Sequence, residues 1–149
     1  MRIRASLLVA VAACSSSAAP APPPGKVTVV APPPDVAVAP WVASQLQAAG
    51  DRQVVVYVGA SWCEPCNHFH QAVAAGALDA TFPRLTLLEF DQDLDGDRLT
   101  AAGYTSQLIP LFVRPAADGR ATGRHIEGSI KGPGAVAEIT PRLRTLIAD

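Results

Sequence analysis

Two cysteines separated by two residues lie near the middle of the chain, with a tryptophan before them and two histidines after them. They are Cys63 and Cys66, in the stretch Ala-Ser-Trp-Cys-Glu-Pro-Cys-Asn-His-Phe-His at residues 60–70. At the start of a helix, unpaired backbone N–H groups and the helix dipole stabilise a thiolate on the first cysteine. The second cysteine follows one turn later, close enough for a disulfide. The pair therefore predicts thiol–disulfide exchange, in which Cys63 attacks a substrate disulfide and Cys66 resolves the mixed disulfide.

The predicted elements place this pair where a strand is followed by a helix. Residues 54–58 form an apolar, β-branched run, which indicates a strand buried on both faces. A helix is expected from about residue 63 to residue 75, with Gly76 near its end. The same patterns predict further helices at 41–49, 98–102 and 135–148 and further strands at 85–90, 111–114 and 124–127. This order predicts an α/β fold, with a central mixed sheet flanked by helices on both faces.

Composition limits the size of the folded part and the class of partner. The chain has 149 residues, of which 49% are apolar and 17% are charged, which suits one domain with some non-globular sequence. Its formal net charge is −1, and its arginines are scattered along the chain. A nucleic-acid partner requires a clustered basic surface, so we exclude that class.

The N-terminal residues have the order of a secretory signal, with a short basic start and an apolar run that is too short to span a bilayer. The sequence Val-Ala-Ala-Cys at residues 11–14 resembles a bacterial lipobox. The resemblance implies a signal peptide at 1–13 and a lipidated Cys14 that anchors an extracytoplasmic protein. Ser15 is not the aspartate associated with inner-membrane retention in Gram-negative lipoproteins, which favours the periplasmic side of an outer membrane. The alternative is ordinary cleavage, with Cys14 uninvolved.

A proline-rich segment separates this signal from the expected domain. Residues 14–40 are rich in Pro, Ala and Ser and contain two runs of three prolines. Because proline favours the extended polyproline II conformation, we expect a semi-rigid linker. Within it, residues 27–30 are β-branched and could add an edge strand. The folded domain is expected at residues 41–149.

The cysteine motif and two positions downstream of it resemble the thioredoxin superfamily. The sequence Trp-Cys-Glu-Pro-Cys at residues 62–66 follows the predicted strand, as the active site of that superfamily does. Ile109 and Pro110 precede a later strand, where the family has a cis-proline facing the cysteines. Gly128 matches a family glycine that lets a substrate chain approach. The resemblance spans residues 41–149 and implies a thioredoxin-like fold.

The resemblance also implies roles for individual residues. Cys63 would be the nucleophile, Cys66 the resolving thiol, and Pro110 the cis-proline that orients the substrate backbone. The substrate groove would be bordered by Trp62, Ile109 and Gly128. The redox group would be the Cys63–Cys66 disulfide itself, without a cofactor or a metal.

Within the superfamily, the chain is more similar to the C-terminal domain of DsbD than to the reductants of cytochrome c maturation. Two departures from the family affect the proton of Cys66. Thioredoxin buries an aspartate where this chain has Tyr57, and the DsbD-type domain has an acidic residue where this chain has His70. His70 shares a helical face with Cys63 and Cys66, so it is a candidate acid/base. The alternative is a hydrogen-bonded histidine with no redox role.

The charge between the cysteines indicates a direction of electron flow. Glu64 disfavours a neighbouring thiolate and so favours a reducing couple, although solvent screening makes the effect small. We therefore expect an extracytoplasmic thiol–disulfide oxidoreductase that reduces the disulfides of partner proteins. Its partners would be disulfide-bearing proteins, a thiol electron donor and, through the lipid anchor, a membrane.

Two other function classes and a cation site remain open from the sequence. A copper-handling protein would use Cys63, Cys66 and His70 as ligands. A redox-silent, lipid-anchored binding module would keep the two cysteines as a permanent staple, although so short a loop constrains the unfolded chain little. Residues 91–97 match the first half of a calcium loop, but Ala102 stands where the bidentate glutamate belongs. The alternative is a strand-to-helix loop whose acids cap the next helix.

Overall fold

The computed structural model describes residues 25–148. The predicted signal peptide, Cys14 and the start of the predicted linker lie outside this part of the chain. Within it, five strands and four helices follow one another. In chain order they are β1 (Thr28–Val30), α1 (Val38–Ala48), β2 (Gln53–Gly59), α2 (Glu64–Ala74), β3 (Leu85–Asp91), α3 (Gln92–Ala101), β4 (Leu111–Pro115), β5 (Ala121–Glu127) and α4 (Ala135–Ala148). No helix within residues 25–148 has the length and hydropathy that crossing a membrane requires.

A single five-stranded sheet, with the strand order β1-β3-β2-β4-β5, forms the centre of the fold. β1 and β2 both pair in parallel with β3, whereas β4 is antiparallel to β2 and β5 is antiparallel to β4. The apolar run at 54–58 lies in β2, the middle strand, and each of its residues is buried. A middle strand is covered on both faces, which explains why the run does not alternate with polar residues.

Two hydrophobic clusters cover the two faces of the sheet. In the first cluster, Phe69 of α2 and Leu143 of α4 pack with the β2 residues at positions 55 and 57. In the second cluster, Val42 of α1 and Leu99 of α3 pack with the β2 residues at positions 54, 56 and 58. Helices on both faces of a mixed sheet confirm the predicted α/β fold class.

The folded part begins earlier in the chain than the sequence indicated. The segment 27–30, considered as an edge strand, contains β1, which pairs in parallel with β3. α1 begins at Val38 rather than at Trp41. The described part of the predicted linker therefore belongs to the domain, and the boundary placed at residue 41 was wrong.

A buried arginine explains why this proline-rich segment joins the sheet. Arg52, immediately before β2, is only 7% exposed. Its Nε donates to Thr86 Oγ1 at 2.9 Å, and its Nη2 donates to the carbonyl oxygens of Lys26 and Leu85. These bonds join segments that are far apart in sequence, so the composition of the segment did not reveal them.

The acidic run at 91–97 begins a helix instead of forming a calcium loop. Asp91 is the N-cap of α3, and its carboxylate accepts the first backbone N–H groups of that helix. Asp95 accepts from the backbone N–H of Asp91 and pairs with Arg98. The helix therefore starts at Gln92, and its predicted start at residue 98 was wrong. Because successive helical side chains point in different directions, the acids do not converge around a cation.

Gly119 provides a stability test of how the β4–β5 turn packs on α1. It has a φ of +79°, and a Cβ at this position would collide with the backbone of Ala39. We predict that Gly119→Ala lowers the free energy of unfolding by more than about 2 kcal/mol, because strain and a backbone clash combine. Urea denaturation measures this loss.

Gly123→Ala is the matched control, because Gly123 is exposed and open space surrounds its Cβ position. Its free energy of unfolding should change by less than about 0.5 kcal/mol. Equal losses in the two variants would contradict the packing of this turn on α1.

Candidate active site

The two cysteines lie at the N-terminus of α2 and form a disulfide. Cys63 is the N-cap residue, and its Cα lies 5.2 Å from the Cα of Cys66. The sulfur of Cys63 accepts the backbone N–H of Cys66, with an N···S distance of 3.3 Å. After reduction, the same N–H group and the positive end of the helix dipole would face a Cys63 thiolate. The geometry therefore suits Cys63 as the nucleophile.

The turn between β2 and α2 is fixed by local hydrogen bonds. The backbone N–H of Cys63 donates to the carbonyl of Ala60 at 3.1 Å. The side-chain amide of Asn67 donates to the carbonyl of Ser61 at 2.9 Å. Pro65, in the first turn of α2, lacks an N–H group that would have no partner within the helix. The chain thus holds both sulfurs in place before any substrate binds.

Ile109 and Pro110 lie beside the cysteines, where the sequence placed them. The peptide bond between them is cis. Ile109 packs against the small cluster formed by Cys63, Cys66 and Ala60. The carbonyl of Pro110 accepts the backbone N–H of Gly128 at 2.9 Å, so the start of the β5–α4 loop lies next to this bond. The fold is thioredoxin-like.

Comparison with known proteins gives structural similarity at low sequence identity. No family model matches the chain, and no curated protein matches its sequence. The thioredoxin of Trichomonas vaginalis is 20% identical, with a TM-score of 0.48 over 68% of this chain and 85% of that chain. Thioredoxin O1 from Arabidopsis thaliana is 19% identical, with a TM-score of 0.48 over 82% of this chain and 98% of that chain. The thioredoxin of Trypanosoma brucei brucei is 18% identical, with a TM-score of 0.46 over 86% of this chain and 96% of that chain.

Exposed apolar side chains lie on the three segments that surround the disulfide. Trp62 is 66% exposed, and its indole N–H donates to Asp93 Oδ2 at 2.7 Å, which fixes the ring. Leu108 and Ile130 are also more than half exposed. A Cβ on Gly128 would lie 3.0 Å from Leu108 Cδ1, so a larger residue there would displace this side chain. The substrate-binding roles of Trp62, Ile109 and Gly128 stay predictions, and the sequence did not indicate that Asp93, Leu108 and Ile130 lie on these segments.

Glu64 connects the cysteine motif to the β5–α4 loop. Its Oε1 accepts the backbone N–H of Gly132 at 3.0 Å. The sequence suggested only an electrostatic effect of this side chain on the thiols. In the structure, Glu64 also holds the β5–α4 loop, which carries Ile130, close to the start of α2.

His70 has a carboxylate partner that the sequence did not reveal. The Nδ1 atom of His70 lies 2.9 Å from Oε1 of Glu89, which belongs to β3. The side chain of His70 is 54% exposed. The acid/base role of His70 toward Cys66 remains a prediction. Glu89 itself reads in the sequence as an ordinary polar residue within an apolar strand.

Tyr57 occupies the place where thioredoxin buries an aspartate. Its hydroxyl donates to the backbone carbonyl of Cys66 at 3.4 Å. Burial, together with the nearby Glu89 carboxylate, raises the pKa of Tyr57 far above its usual value, so the hydroxyl stays neutral. Gly59 makes room for it, because a Cβ there would lie 2.7 Å from the tyrosine oxygen.

The copper alternative gains no support from this arrangement. Cys63 and Cys66 are bonded to each other, and the imidazole of His70 is paired with Glu89. Among residues 25–148, no group of three or more His, Cys, Asp or Glu side chains is arranged to hold a metal ion.

The contact between Glu64 and Gly132 can be tested by amide hydrogen exchange. We predict that Glu64→Ala speeds exchange at the Gly132 amide about fivefold, because a hydrogen bond of roughly 1 kcal/mol is lost. Glu64→Gln is the matched control, since its side-chain oxygen can still accept the bond. Unchanged exchange in Glu64→Ala would show that Glu64 does not hold the loop.

Proposed function

We propose that this protein is an extracytoplasmic thiol–disulfide oxidoreductase that reduces the disulfides of partner proteins. The observation that carries the proposal is the placement of the Cys63–Cys66 disulfide at the N-terminus of α2, beside the cis Ile109–Pro110 bond. A sulfur at a helix N-terminus, with a second sulfur within bonding distance, is the arrangement that disulfide exchange requires.

The reaction transfers two electrons from the dithiol to the substrate. The Cys63 thiolate attacks one sulfur of the substrate disulfide, and the other substrate sulfur leaves as a thiolate and takes up a proton. Cys66 then loses its proton and attacks the sulfur of Cys63, which reforms the Cys63–Cys66 bond and releases the second substrate thiol. An external thiol donor must reduce the protein before the next cycle.

The surface around the disulfide supports a protein substrate. Cys63 is only 4% exposed, so a partner disulfide must be brought against the surrounding residues to reach its sulfur. Trp62, Leu108 and Ile130 offer exposed apolar contact area on the segments next to the motif. Exposed apolar side chains that are grouped around a reactive centre favour a macromolecular partner over a small polar one.

The location and the direction of the reaction are further parts of the proposal. A lipid on Cys14 would place the domain outside the cytoplasm, and Glu64 would favour reduction over oxidation. Expression in a bacterium with radiolabelled fatty acid tests the first point: the label should enter the wild-type protein and be absent from Cys14→Ser. Equal labelling of both proteins would contradict lipidation at Cys14.

Trapping of the mixed disulfide tests the activity. With insulin as the probe and dithiothreitol as the electron donor, the wild-type protein should accelerate reduction of the insulin disulfides, whereas Cys63→Ser and Cys66→Ser should not. After dithiothreitol is removed, reduced Cys66→Ser should form a stable covalent adduct with insulin, visible by non-reducing electrophoresis, because the variant lacks the thiol that resolves the bond to Cys63.

Reduced Cys63→Ser is the matched control, since it has the same number of thiols and lacks the nucleophile. It should form little adduct. Equal adducts in both variants, or no acceleration by the wild-type protein, would contradict the proposal and favour a redox-silent binding module.

A further inference from the structure

The proposed exchange leaves one proton without an assigned acceptor. Before Cys66 attacks the mixed disulfide, its thiol must lose a proton, yet Cys66 is only 2% exposed. Tyr57, which stands where thioredoxin has an aspartate, is neutral and uses its hydroxyl to donate to the Cys66 carbonyl. It is therefore a poor acceptor, and the acceptor must be another group that Cys66 can reach.

A cavity of about 660 Å³ reaches Cys66 between α2, the ends of β2 and β3, and the N-terminal segment. A water molecule occupies roughly 30 Å³ in the liquid, so the cavity has room for several. Its walls include Tyr57, Cys66, His70 and Glu89. Cys63 is not among the residues that line it. Cys66 therefore borders this space, whereas the nucleophile Cys63 does not.

One carboxylate on this wall is well placed to receive a proton. Glu89 is the parallel-strand partner of Tyr57 in the β2–β3 register, so it projects beside the position that the family's aspartate would occupy. Its side chain is 29% exposed, and its Oε1 lies 2.9 Å from His70 Nδ1. His70 stands one helical turn after Cys66, on the same face of α2. The pair thus spans the cavity from β3 to α2.

The other charged groups that line the cavity are either already paired or exposed. Asp95 pairs with Arg98 at 3.0 Å, and the Asp91 carboxylate caps α3. Asp35 is exposed and lies on the N-terminal segment. The remaining candidates for the acceptor of the Cys66 proton are therefore Glu89 and its partner His70.

We propose that Glu89, held in position by His70, accepts the proton of Cys66 through water in this cavity during the resolving step. The inference depends on the proposed function. In that step the Cys66 S–H bond breaks, and its proton passes through the cavity water to the Glu89–His70 pair. The Cys66 sulfur bonds to Cys63, and the bond between Cys63 and the substrate breaks. The substrate leaves as a thiolate, and the pair returns its proton to solvent.

A two-step disulfide probe separates the attack by Cys63 from the resolution by Cys66. Reduced protein that carries Cys14→Ser, so that Cys63 and Cys66 are its two thiols, is mixed with dithiobis(nitrobenzoate), which releases one coloured thiolate when Cys63 attacks and a second when Cys66 resolves. In stopped-flow experiments across a range of pH, Glu89→Gln should leave the first release unchanged. It should slow the second at least tenfold at neutral pH, because a positioned acceptor contributes about 10²–10⁴-fold. In Glu89→Gln, the rate of the second release should then rise in proportion to the hydroxide concentration.

His70→Gln should change the second release in the same direction by a smaller factor, because it alters the position of Glu89. Asp97→Asn and His125→Asn are the matched controls, since both residues are exposed and neither lines the cavity. Both releases should keep the wild-type pH profile in these two variants. Glutamine at position 89 can still bond His70, which keeps the local structure intact.

The sign of the change separates proton transfer from simpler roles of Glu89. If Glu89 were only a fixed negative charge, its removal would favour the Cys66 thiolate and speed the second release, which would overturn the proposal. Equal slowing of both releases with unchanged pH profiles would show a structural role and would also overturn it. If the wild-type protein released no second thiolate, the proposed function would fail first, and the role of Glu89 with it.

Discussion

The site depends on a backbone N–H group that points at the sulfur of Cys63. That donor exists because α2 begins immediately after Cys63, and the first amides of a helix have no partner within it. The same junction places Cys66 one turn later, within bonding distance. A shift of the helix start by one residue would remove both the donor and the pairing, so the position of this junction is the main constraint on the chemistry.

The sheet fixes that junction in space. β2 is the middle strand and is buried on both faces, so its end at Gly59 cannot move without disturbing both hydrophobic clusters. From this fixed point, separate contacts bring the other parts of the site to the sulfurs. Ile109 packs directly on the cysteine cluster, Gly128 bonds to the Pro110 carbonyl, and Glu64 bonds to Gly132. The loops near the disulfide are thus held by contacts to the motif and to one another.

Local patterns predicted much of this arrangement, and long-range contacts account for the rest. The apolar runs of β2 and β3 and the spacing of the two cysteines are local features of the sequence. Both strands and the disulfide were therefore expected. β1 depends on Arg52, which bonds residues more than twenty positions away, and the proline-rich composition around it indicated a linker. Glu89 was missed for the same reason, because its pairing with His70 joins β3 to α2 across nineteen positions of the sequence. The start of α3 was misplaced because Asp91 was taken as part of a loop.

The alkylation rate of Cys63 as a function of pH is the most direct test of the central claim. The reduced protein that carries both Cys14→Ser and Cys66→Ser, so that Cys63 is its remaining cysteine, is treated with iodoacetamide in native buffer and again in concentrated urea. If the start of α2 holds a thiolate, the native rate reaches its half-maximum at a clearly lower pH than the unfolded rate. Coincident profiles for the folded and unfolded protein would contradict the account.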